Sequence, residues 1–128
     1  MSYQSKQVQW GLLNSLNSRD NIKLHRNSMA MMENMQKASE LSQQYSDVQA
    51  KIKSDYANDE KRMERALEEV KGEFDFLKEQ LNVVEEQNEI ERETLTAKVE
   101  VREKKMDKLQ EQISKEVKQD HNIFKLGG

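Results

Sequence analysis

Between Met63 and Val84 the apolar residues Met63, Leu67, Val70, Phe74, Leu77, Leu81 and Val84 are separated by alternating gaps of four and three. A β-strand cannot use that period. An α-helix gathers such residues into one stripe, and the stripe is stable only when another helix covers it. Written as heptads, Leu67, Phe74 and Leu81 take position a, and Met63, Val70, Leu77 and Val84 take position d. The next two positions fall on Asn88 and Glu91, and the stripe resumes at Leu95, Val99, Met106, Leu109, Ile113, Val117 and Phe124. The steps Val84–Leu95 and Ile113–Phe124 each span eleven residues. That spacing relaxes left-handed supercoiling and marks places for a rod to straighten or change partners. Gly72, inside the best heptads, costs about 1 kcal/mol relative to alanine, little against a row of buried seam residues.

The rest of the chain agrees with a long helix. Of 128 residues, 34% are hydrophobic and 35% charged, with a mean hydropathy of −1.05, too little apolar material for a compact globular core. Proline is absent and two of the four glycines are the last two residues, so nothing obliges a helix to stop. The expected fold class is all-α: an elongated coiled coil or a long helical hairpin with no compact core.

Residues 1–27 form a polar segment. Within it Val8, Leu12 and Leu16 lie four apart, and Trp10 and Leu13 three apart, which predicts a short amphipathic helix interrupted by Gly11. Asn27 or Ser28 then offers an N-cap for a first long helix over 28–57. Its apolar positions run Met31, Met35, Ala38, Leu41, Tyr45, Val48, Ile52 and Tyr56. At Asn58-Asp59-Glu60 two readings remain open: a break, with Asp59 capping a new helix over 59–124, or one helix that continues. Residues 125–128 read as a tail, and Ile123, Phe124 and Leu126 as a docking element on a neighbouring subunit.

Phe76, Val83, Ile90 and Ala97 are spaced by seven at heptad position c, away from the seam. A two-stranded coiled coil leaves that row in water, so it is a candidate second interface.

Chemistry is harder to find. There is no cysteine, and His25 and His121 stand in no ligand-like spacing. The glutamates around Glu85, Glu86, Glu89, Glu91 and Glu93 form a charge run of the kind a solvated helix face carries. No phosphate loop, nucleophile elbow or calcium loop is present. The expectation is a protein that is no enzyme, with no catalytic residues, no cofactor and no metal. Net charge is −3; residues 1–58 hold seven Lys/Arg and five Asp/Glu, residues 59–128 fourteen and nineteen. This interleaving argues against nucleic-acid binding. Apolar clusters such as Met29 to Met32 are too short for a membrane span, and no secretory signal peptide is expected.

Three features together resemble the subunits of flagellar and type III secretion systems, the flagellins, needle proteins and helical filament proteins. They are the Ser/Gln/Asn-rich stretch Ser2–Arg19 without an acid, a long helical middle, and a C-terminal amphipathic helix ending in Ile113, Val117, Ile123 and Phe124. Leu13-Asn14-Ser15-Leu16 is similar to the start of flagellins. The resemblance implies an uncleaved N-terminus used for export and terminal helices that pack together in a filament core. The expected function is a structural subunit that self-assembles into a filament, needle or similar homo-oligomer. The alternative is a cytoplasmic coiled-coil chaperone or adaptor that binds a helical partner.

Overall fold

The computed structural model describes the backbone of residues 2–127 and the side chains of residues 2–120. It is all-α: helix α1 (Tyr3–Asp55) and helix α2 (Glu60–Gly127) pack as a hairpin. α1 starts where the Ser2 hydroxyl accepts a hydrogen bond from the Ser5 backbone N–H at 3.3 Å, satisfying one of the amides a helix leaves open at its first turn. The break at residues 58–60 is present. Asp59 Oδ1 accepts from the Arg62 N–H at 3.2 Å, and Arg62 returns an ion pair to Asp59 at 3.5 Å. The turn itself is short, closed by Tyr56 N–H to Ile52 C=O and Asp59 N–H to Tyr56 C=O, both at 3.0 Å. Among the described residues none has a positive φ, so the reversal is made without the glycine that usually ends a helix.

Three expectations require correction. α1 runs through Asn27 and Ser28 without a cap, so the polar segment, its short helix and the first long helix are one element. Gly11 does not interrupt it, because a single glycine costs too little to stop a helix held by tertiary packing. α2 continues past the expected tail boundary to Gly127.

The chain divides into two compact units, each drawing on both helices: unit 1 joins Met1–Arg26 to Arg92–Gly128, and unit 2 is Asn27–Glu91. On α2 the division falls within the eleven-residue step from Val84 to Leu95. In unit 1, Trp10, Leu13, Asn17, Asp20 and Leu24 of α1 turn inward with Leu95, Val99, Arg102, Met106, Leu109 and Ile113 of α2. In unit 2 the inward residues are Asn27, Met31, Asn34, Leu41, Tyr45 and Ile52 with Met63, Leu67, Val70, Phe74, Leu81 and Asn88. The α1 positions recur at gaps of three and four from Trp10 to Asn34, and at seven from Asn34 to Leu41 and from Tyr45 to Ile52, where Ala38 and Val48 are exposed.

Candidate interaction surfaces

The inner face of unit 1 is partly polar. Leu95, Val99 and Ile113 are buried, and beside them Asp20 is only 2% exposed. Arg102 donates to the Asp20 carboxylate across the seam, with Arg19 and Lys23 on the same helix at 3.8 and 4.0 Å. The Arg102 hydrogen bond, helped by these charges, holds the Asp20 carboxyl below the usual carboxylate range although burial pushes it up. Asn17 Nδ2 donates to the Val99 carbonyl at 3.3 Å, and Lys6 Nζ to Glu116 Oε1. The seam reading needs correction here: Glu116, paired with Lys6, is half-buried, and Val117 is exposed.

In unit 2 the balance is reversed. Tyr45 and Phe74 stack with ring centroids 4.1 Å apart, and Lys78 lies 5.9 Å from the Phe74 centroid. Asn27, buried, donates to the Asn88 carbonyl at 2.8 Å, so the seam passes through Asn88 instead of lapsing there. Yet Leu77 and Val84, both d positions, remain 44% and 41% exposed. Met35, expected inside, is 71% exposed, Val48 is exposed too, and Asn34 takes the inner position beside Met35. An open groove of about 300 Å³ lies here, lined among others by Met31, Met35, Ala38, Leu41, Phe74 and Leu81.

The second row also lies on the surface. Phe76 and Ile90 are 63% and 64% exposed, Val83 44%, and Ala97 is exposed. With Leu77 and Val84, the residues Phe76, Val83 and Ile90 make an apolar strip interrupted only by Gln80 and Gln87. No charged residue falls on that side of α2 from Phe76 to Ile90, because Lys78, Glu79, Glu85, Glu86 and Glu89 all take the other heptad positions.

Of the seam residues read from sequence, Leu95, Val99 and Ile113 are buried. Met63, Leu67, Val70, Phe74, Leu81, Met106 and Leu109 are half-buried, and Leu77, Val84 and Val117 are exposed. Phe124, with Ile123, Leu126 and His121, lies outside the described side chains. Asn17, Asp20, Asn27, Asn34 and Arg102 are inner residues that an apolar count passes over. Their signal is position alone: Asn27, Asn34 and Arg102 fall on a three-four spacing between apolar neighbours, and Asn17 and Asp20 continue that spacing from Leu13 to Leu24.

Among the described residues no cluster of three or more His, Asp or Glu is placed to hold a metal, and no helix is long and apolar enough to cross a membrane. What the geometry defines is a helical hairpin with an uncovered apolar strip on one of its two units. Comparison with known proteins gives no matching family model, no similar curated protein and no similar solved structure.

Proposed function

We propose that the chain is a non-enzymatic structural protein, a helical subunit that assembles with copies of itself into a filament, needle or similar oligomer. The observation that carries this reading is the strip Phe76–Leu77–Val83–Val84–Ile90, a continuous apolar face left in water by the hairpin.

The test changes Val83 and Ile90 together to lysine, which puts charge into the strip without touching the inward-facing residues. Helix content by circular dichroism should stay at the parent level, and the large species seen by light scattering and negative-stain microscopy should disappear. Assembly equal to the parent's would refute the proposal. A second reading, an adaptor or chaperone that holds a helix of another protein, is favoured by Met29, Met32 and Met35, exposed on the same unit, since methionines adapt to varied partners. Discrete monomers or dimers of the parent at every concentration would favour that reading.

A further inference from the structure

The two units carry opposite charge. Unit 1 holds thirteen Lys/Arg against eight Asp/Glu, a net of +5, while unit 2 holds eight against sixteen, a net of −8. Dividing the sequence at residue 58 hides this, because each unit takes one segment from either side of the turn. The charges are also placed beside apolar surface. In unit 1, Leu13, Ala97, Val101, Lys98 and Lys105 line a shallow groove, and Leu13 and Lys105 also line a second one with Lys108. These lysines make no ion pair among the described residues. In unit 2, the row Phe76–Val83–Ile90 is followed three residues on by Glu79, Glu86 and then Glu93 of the adjoining unit.

We propose that copies of the chain associate head to tail, the apolar strip of unit 2 on one copy seating in the lysine-lined groove of unit 1 on the next. The inference rests on the self-assembly reading above and adds which surfaces meet. Glu79 and Glu86 are seven residues apart, as are Lys98 and Lys105, so both charged rows repeat at about 10 Å along their helices. Val83 and Ile90 then cover Leu13 and Val101 while the glutamates face the lysines. Two copies meeting through unit 2 alone would set glutamate rows and two net charges of −8 against each other. A contact between unlike surfaces leaves one unit 1 and one unit 2 free on every pair. Addition therefore continues until the chain of subunits closes as a ring or extends as a filament.

The experiment uses the full chain, with sedimentation velocity and light scattering at fixed concentration and circular dichroism as the control for folding. Lys98→Glu with Lys105→Glu, and separately Glu79→Lys with Glu86→Lys, should each weaken association on the order of tenfold or more. Mixing the two variants should restore it, because each reversed surface then meets its reversed counterpart. The neutral pair Lys98→Gln with Lys105→Gln should give an intermediate loss and serves if a reversal unfolds the chain. Raising salt from about 0.02 M to about 0.5 M should weaken the parent and the mixture alike. A parent that assembles but is indifferent to Lys98→Glu with Lys105→Glu overturns the head-to-tail arrangement and leaves self-assembly standing. A parent that stays monomeric at low salt overturns the self-assembly reading itself.

Discussion

Unit 1 and unit 2 are made from the same two helices with the same three-four spacing, yet they use their inner positions in opposite ways. Unit 1 places Asn17, Asp20 and Arg102 inside and still buries Leu95, Val99 and Ile113. Unit 2 has the richer apolar seam and leaves Leu77 and Val84 more than two-fifths exposed. An apolar pattern thus marks where a helix needs cover, not where cover has been supplied. Polar inner residues act differently: an Asp20 that must find Arg102, and an Asn27 that must find the Asn88 carbonyl, tolerate only one register of α1 against α2. The cost is visible, since Asn17 Oδ1, Asn27 Oδ1 and Asn88 Nδ2 are buried without a hydrogen-bond partner among the described residues.

The sharpest test of this contrast compares leucines. Leu95→Ala in unit 1 should cost about 2 to 4 kcal/mol in urea unfolding, since it removes buried methyl groups and leaves a cavity. Leu77→Ala in unit 2 should cost about 1 kcal/mol or less in dilute protein, where the side chain is already 44% exposed. Equal losses at low concentration would erase the distinction between the units; a Leu77 penalty that grows with protein concentration would sharpen it.

The next effect is confined to unit 1. Because the folded Asp20 pKa lies below its unfolded value, its contribution to stability is fully present above the unfolded value and is lost as pH falls through the folded one. Tm measured from about pH 5 down to about pH 2 should therefore fall more steeply in the parent than in Asp20→Asn, which has no such proton to gain. Parallel curves would show that the Arg102 pair contributes nothing to the seam.

The smallest effect should be the same in both units. A Cβ added at Gly11 or Gly72 meets nothing within 4 Å, and both lie inside helices. Gly11→Ala and Gly72→Ala should each stabilise the hairpin by about 0.5 to 1 kcal/mol without altering assembly. A loss at Gly72 in assembled protein alone would place that position in a subunit contact.

The α2 seam and the helical class were legible because leucines, valines and a phenylalanine mark the period directly. The first half of α1 was not. Its inner positions include Asn17, Asp20 and Asn27, of which Asn27 read as a cap, while the conspicuous Val8 and Leu12 face solvent at 75% and 62% exposure. Asp59 announced the turn, but with neither glycine nor proline nearby an unbroken helix fitted equally well. The charge separation was hidden for a topological reason, since a hairpin folds the chain's two ends into one unit and no division of the linear sequence samples that grouping.

The position of the turn also sets the order in which the chain finds its partners. Tyr45 meets Phe74 across only 29 residues, whereas Lys6 meets Glu116 across 110. Loop closure favours the shorter connection, so contacts near Asp59 cost less entropy to form than those that join the chain's two ends. On the ribosome the delay is longer still, because residues 3–26 emerge first and the segment they join in unit 1, from Arg92 on, is made last. Through that interval an α1 segment with apolar residues at every inner position would be a liability for aggregation. Asn17 and Asp20 keep two of its inner positions polar until Val99 and Arg102 arrive.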